Sequence, residues 1–173
     1  MKKKPPLQTI KAFTLLELVL CLALLAMMLF GGVRAWAQLH QDQQRKAITA
    51  KLEQALNFAR QAAIAKREQV SICPRETDMT CGRDWSQGWL IFLDADNRGQ
   101  LANEGQVLWR ETAVYHQPIQ FSGWLKHQYV RFESDGMPHS YHGTFLLSGK
   151  PMLVINAVGR IRRVNQEEIS QNV

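Results

Sequence analysis

Hydrophobic positions along this chain change their period twice. Residues 13–33 are apolar all round, with one charge, Glu17, and no glycine or proline before Gly31. A run of this length matches the ~20 residues that cross a bilayer core as a helix. From residue 39 the apolar positions become Leu39, Ala47, Ile48, Leu52, Ala55, Leu56, Ala59, Ala63 and Ile64. Their three-to-four spacing draws one stripe on a helix, with Gln43, Gln44, Lys51, Glu53, Arg60 and Lys66 filling the other face. The two patterns join, so one long helix is expected from about Phe13 to about Arg67. Arg34 and Trp36 mark where a membrane-embedded part would give way to the amphipathic part.

Beyond Arg67 the pattern breaks into short β-like runs: 69–73, 88–93, 106–110, 119–121, 129–132, 143–147, 152–155 and 161–164. Asp96-Asn97-Arg98-Gly99, Asp135-Gly136 and Ser148-Gly149-Lys150 read as turns between them. Runs this short, with no helical pattern between them, predict antiparallel sheets rather than βαβ units. The expected class is therefore α+β, a long helix followed by a β-rich head over 68–173.

A carboxylate inside an apolar helix is costly, so Glu17 reads as functional and in need of a partner. Ahead of it, Met1–Ala12 carries Lys2, Lys3, Lys4 and Lys11, and the junction runs Lys11-Ala12-Phe13-Thr14-Leu15-Leu16-Glu17. In an ordinary secretory signal the small-residue cleavage site follows the apolar core; here Ala12 precedes it. This junction resembles the processing site of type IV prepilins and type II secretion pseudopilins, with Ala12 where glycine is usual. The resemblance implies a cleaved leader over 1–12, a transmembrane and assembly helix over 13–36 and an amphipathic helix over 37–67. It also implies N-methylation of the new amine on Phe13, and pairing of Glu17 with that amine on a neighbouring subunit. A buried pair of that kind acts as a register device, since either charge alone is strongly unfavourable.

Two further segments narrow the resemblance to the FimT/GspH group of minor pilins and pseudopilins. They are Trp85-Ser86-Gln87-Gly88-Trp89-Leu90-Ile91-Phe92, with the Asp94–Gly99 turn after it, and Val154-Ile155-Asn156-Ala157-Val158-Gly159-Arg160-Ile161-Arg162. The group implies two antiparallel sheets packed on the C-terminal half of the helix. It also implies an inner-membrane anchor with a periplasmic head before assembly, and a place in a pilus at the cell surface afterwards. Expected partners are other minor pilins, the major pilin, the prepilin peptidase and the inner-membrane assembly platform. In an exported head, Cys73 and Cys81 are expected to form a disulfide. Zinc is the alternative, although two cysteines with no adjacent Cys or His make a poor site. Cys21, in the apolar helix, reads as a small hydrophobe.

Charge changes the picture only locally. The chain carries 21 basic and 15 acidic side chains, but four of the basic ones lie in the leader, leaving 17 and a formal +2. Affinity for a polyanion must therefore come from a patch. The best candidate is Gly159, Arg160, Arg162 and Arg163, with Lys150 in the turn before the preceding strand. No acidic residue occurs between Asp135 and Glu167. On an extended strand Arg160 and Arg162 share a face about 7 Å apart, close to the separation of successive phosphates. Guanidinium forks suit phosphate oxygens, and a glycine lets backbone approach a ligand closely. FimT-like minor pilins are associated with DNA uptake through a terminal Gly-Arg-x-Arg motif, which Gly159, Arg160 and Arg162 match. The alternative is a solvated edge strand that uses charge to prevent edge pairing.

Other candidates carry less. Asp94–Gly105 begins like a calcium loop, but Arg98 and Gly105 stand where oxygen ligands belong. His139 and His142 lack a third ligand, and Trp89 and Trp109 suit a core better than a base-stacking surface. No nucleophile–base or paired-carboxylate pattern has recognisable context, so neither an enzyme nor a cofactor is expected. The sequence thus points to a DNA-binding minor pilin. The alternatives are a GspH-type pseudopilin of type II secretion and an assembly pilin without DNA binding.

Overall fold

The structure is a computed structural model. It describes residues 14–77, 80–101, 103–123, 128–140 and 142–164, with the backbone alone at 28–35, 37, 38 and 104. The leader, the Ala12–Phe13 junction, Trp124 and the tail from Asn165 lie outside the described residues.

Helix α1 spans Leu15–Lys66. Thr14 caps it, its carbonyl accepting from the Glu17 and Leu18 amides at 3.1 and 3.2 Å. Arg67, with φ of 55°, turns the chain out of the helix. The chain divides into two compact units, residues 1–44 and 45–173. In the first, helix is all that is described, and Leu15, Leu16, Leu18, Val19, Leu20, Leu22, Leu24, Leu25 and Met27 are all exposed, as is Glu17. Among the described residues no helix is long and apolar enough to cross a membrane. The apolar stretch with described side chains, 14–27, is shorter than the ~20 residues a span requires, and residues 28–35 of the expected 13–36 span are known by backbone alone.

In the second unit the remainder of α1 buries one stripe: Ile48, Leu52, Ala55, Leu56, Ala59 and Ala63. Alanines at 55, 59 and 63 recur every fourth residue and let the backbone approach the sheets closely. The stripe is narrower than the sequence pattern implies. Ala47 and Ile64 are exposed, because each lies off the centre line of the buried face, and Leu39, in the first unit, is exposed as well.

Among the described residues eight strands follow, one overlapping each predicted run. They are β1 (Val70–Pro74), β2 (Trp89–Leu93), β3 (Val107–Glu111), β4 (Ile119–Gly123), β5 (Val130–Phe132), β6 (Gly143–Leu147), β7 (Lys150–Ile155) and β8 (Ile161–Arg163), with β7 starting two residues early at Lys150, which the sequence placed in a turn. They form two antiparallel four-stranded sheets, ordered β3-β2-β1-β5 and β4-β6-β7-β8. One core joins the helix stripe to both sheets through Val70, Ile72, Trp89, Ile91 and Phe132 on one side and Ile119, Phe145, Leu153 and Ile155 on the other. Trp85, in a 3-10 turn over Trp85–Gln87, is completely buried and lies edge-on to Phe145 with ring centroids 4.9 Å apart.

The first sheet is covered on its other face as well. Cys73, Leu90 and Phe92 are buried there with Tyr129 and Leu101 packed against them. Burial on both faces explains why 89–92 reads as an unbroken apolar run instead of alternating. Cys73 and Cys81 form the expected disulfide, which closes the loop after β1.

Candidate nucleic-acid interface

The Gly159 region is a turn held from three directions. Asn156 organises it locally: its carbonyl accepts from Gly159 N–H at 2.9 Å, its side-chain oxygen accepts from Arg160 N–H at 2.8 Å, and its amide donates to the Arg160 carbonyl at 3.1 Å. From the helix, Arg60 donates through Nε to the Gly136 carbonyl at 3.0 Å and through a terminal nitrogen to the Val158 carbonyl at 3.2 Å. The 135–138 turn supplies the third contact. A Cβ on Gly159 would lie 2.3 Å from the Gly136 oxygen and 3.0 Å from Arg60 Nε, and its φ is +76°. Glycine is therefore required by space as well as by backbone angle.

This clamp explains how the arginines are displayed. Ile161 is half-buried and packs on the core, which leaves Arg160 and Arg162 exposed on either side of it. Arg162 stands opposite Val154 at the edge of the second sheet. Arg160 takes no side-chain hydrogen bond or ion pair among the described residues. The expected pair is thus brought together.

Arg163 and Lys150 are placed differently. Arg163 alternates to the helix side, where its Nε donates to Glu53 at 2.5 Å, so an acid 110 positions away offsets part of the charge that looked unopposed in sequence. Lys150 is the exposed first residue of β7, paired with Leu147, whereas Arg160 lies beyond the opposite end of that strand. At about 3.3 Å per residue, six residues of strand separate Lys150 from the position facing Arg160, roughly 20 Å.

Sequence reasoning missed Arg60. Nothing in its helical neighbourhood distinguishes it from Lys51 or Lys66, because its role comes from two carbonyls contributed by distant turns. Gly159→Ala tests the clamp. A left-handed backbone costs a non-glycine residue about 1–2 kcal/mol, and displacing the Gly136 carbonyl adds to that. We expect about 2–3 kcal/mol of lost stability in urea denaturation; a change within about 0.5 kcal/mol would mean that the turn relaxes freely.

A second cationic region is a cleft of about 820 Å³ beside the disulfide, lined by Arg75, Arg83 and Arg98 together with Glu76, Asp84 and Gln87. Arg75 is anchored on the Gln87 and Thr112 carbonyls at 3.1 and 3.4 Å. Asp84 accepts from the Ser86 hydroxyl and amide, and these bonds hold its carboxyl below the usual carboxylate range. Its charges are mixed, so the cleft is a weaker phosphate site than the Gly159 strand.

The remaining sequence candidates find structural roles. Asp94 is buried beneath its own turn and accepts from the Arg98 and Gly99 amides at 3.0 and 2.9 Å. His139 Nδ1 sits 2.9 Å from Glu133. Trp89 is buried and stacked on Tyr115, and Trp109 is half-buried against Phe58. Among the described residues no cluster of three or more metal-ligating side chains exists.

Two crystal forms of the minor pilin FimU from Pseudomonas aeruginosa superpose with TM-scores of 0.55 and 0.56. Sequence identities are 21% and 19%, covering 70% and 73% of this chain and 94% and 92% of FimU. At such identity the likeness establishes the fold. No curated protein matches the sequence. The family model described as type II transport protein GspH matches residues 49–165, from the buried helix stripe through the Gly159 strand. With the long helix, the two antiparallel sheets and that match together, the chain belongs to the GspH family.

Proposed function

We propose that this chain is a minor pilin of a type IV pilus that binds extracellular DNA for uptake, through Arg160 and Arg162 on the strand following Gly159. The observation that carries this reading is the exposure of both arginines beside a turn clamped by Arg60 and Asn156, in a segment that matches the Gly-Arg-x-Arg pattern. Paired guanidinium forks on a fixed backbone bind phosphate without prior ordering. Arg163, shared with Glu53, and Lys150, at the far end of β7, are supporting contacts. Contact with phosphates alone makes binding weakly dependent on sequence and steeply dependent on salt.

In this reading the peptidase cuts between Ala12 and Phe13, Phe13 is methylated, and Glu17 meets the Phe13 amine of a neighbour during assembly. The helix anchors the chain in the inner membrane with the head in the periplasm until it joins other minor pilins and the major pilin. The assembly platform and the peptidase carry the chemistry; this chain serves as a structural and binding subunit.

The test is a fluorescence titration of full-length protein in neutral detergent with duplex DNA at several salt concentrations. Wild type should bind at micromolar strength with a clear negative salt slope. Arg160→Gln/Arg162→Gln should weaken binding about ten-fold or more and flatten the slope by about two units. A folded wild type that does not bind at low salt would refute the DNA reading. The second reading, a type II secretion pseudopilin, is favoured by the description of the matching family. In that case the Arg160 strand contacts another pseudopilin, and the double variant loses association with that subunit.

A further inference from the structure

Three large apolar side chains left outside the core converge where the Gly159 turn meets the helix. Ile64 is 47% exposed, Met137 50% and Val158 58%. The segments that carry them adjoin. A Cβ on Gly136 would lie 2.7 Å from Ile64 Cδ1, and one on Gly159 would lie 3.4 Å from Pro138 Cδ in addition to its contact with the Gly136 oxygen. Gly136, Pro138 and Gly159 are buried where the two turns meet, and Ile64, Met137 and Val158 border that contact on its exposed side. The Arg60 guanidinium reaches the Val158 carbonyl, and Arg160 stands two residues beyond Val158. The carboxylate in the same turn, Asp135, accepts the Met137 amide at 2.8 Å.

We propose that this patch extends the DNA site. Val158 and Met137 contact the sugar and base surfaces of a nucleic acid whose phosphates Arg160 and Arg162 hold. The inference rests on the DNA-binding reading above and adds a contact that phosphate binding alone does not supply. The choice of occupant follows from charge and continuity. The patch and Arg160 share one clamped turn, so a ligand on Arg160 is already in reach of Val158. Two guanidiniums at an apolar surface suit a polyanion that also presents apolar faces. Nucleic acid does so in the minor groove, where apolar side chains wedge against base steps, and along single strands, whose bases are unstacked. A protein partner would bury the same residues without requiring phosphate.

The experiment compares single-stranded DNA, duplex DNA and linear polyphosphate as ligands for the full chain in neutral detergent. Polyphosphate offers the charge without sugar or base. Wild type should prefer DNA to polyphosphate at equal phosphate concentration. Val158→Ser/Met137→Ser should bind DNA about five- to ten-fold more weakly, leave polyphosphate binding unchanged and keep the wild-type salt slope. Arg160→Gln should instead flatten the slope by about one unit for every ligand. Val158→Ile, which enlarges the apolar face without disturbing the turn, should strengthen DNA binding and leave polyphosphate unaffected. It decides the matter if the serine variant loses its helical circular dichroism. Unchanged DNA affinity in a folded serine variant, or an equal loss for polyphosphate, overturns the proposal. If wild type binds polyphosphate and DNA equally, the phosphate site stands and the apolar contact falls. If wild type binds neither, the DNA-binding reading itself fails.

Discussion

Trp85→Ala is expected to destabilise the head by about 3–5 kcal/mol, the range for emptying a fully buried large aromatic site. Trp85 is 0% exposed, and its partners are what make it important. It lies between β1 and β2 of the first sheet, yet its ring meets Phe145 edge-on at 4.9 Å and Phe121 at 6.3 Å, both on the second sheet. The side chain therefore keys one sheet to the other, and close-packed neighbours cannot fully collapse into the space it leaves. Domains of this size are stable by only about 5–15 kcal/mol, so the loss takes a large share of the total. Trp85→Phe should cost far less, because the indole Nε1 is buried without a protein partner and contributes no hydrogen bond. Urea denaturation of the two variants checks this. An alanine variant within about 1 kcal/mol of wild type would show that the sheets pack independently of the ring.

Asp94 carries the second large effect. The carboxylate is 2% exposed, and every group that faces it is a donor: the Ser71 hydroxyl at 2.7 Å, the Arg98 and Gly99 amides, and the Arg131 guanidinium at 3.8 Å. Asp94→Ala removes four acceptor contacts and leaves Arg131, itself 6% exposed, with Glu133 at 3.5 Å as its remaining acid. Breaking a buried pair costs about 3–5 kcal/mol, and the retained Glu133 contact places this loss near the lower end, about 3 kcal/mol. Asp94→Asn is the sharper test. An amide must turn an NH2 toward donors that already lack an acceptor, so this near-isosteric change should recover less than half of the loss. Arg131 also donates to the Asn97 carbonyl at 2.7 Å, so the 94–99 turn and Arg98 on the cleft should loosen with it. Thermal unfolding, with amide exchange at Arg98 and Gly99, reads both effects. Full stability in the asparagine variant would mean that the charge of Asp94 is unimportant.

Asp94 also shows where sequence reading stops. The run Asp94-Ala95-Asp96-Asn97-Arg98-Gly99 is legible as a turn, because local chemistry decides turns: asparagine and glycine accept positive φ, and an aspartate bonds amides a few residues ahead. The same letters do not say that the aspartate is buried under Ser71 and Arg131, which arrive from two other strands. The Gly159 strand behaves alike. Glycine followed by spaced arginines can be read directly, and the exposure of Arg160 and Arg162 follows from alternation about the half-buried Ile161. The Arg163–Glu53 pair, the Arg60 clamp and the remoteness of Lys150 cannot be read this way, since each depends on which elements become neighbours.

Local chemistry suffices for the long helix, the approximate positions of the eight described strands, the turn glycines and the cysteine pair. These follow from periodicity, backbone preference and short loop closure, which act within a few residues of one another. Long-range packing sets the strand order of the two sheets, the burial of Trp85 between them and the narrowing of the helix stripe that leaves Ile64 outside. It also joins the 135–138 turn to the Gly159 turn through Arg60. Those outcomes minimise exposed apolar surface and unpaired polar groups over the whole head at once, a condition that no local window of the chain contains.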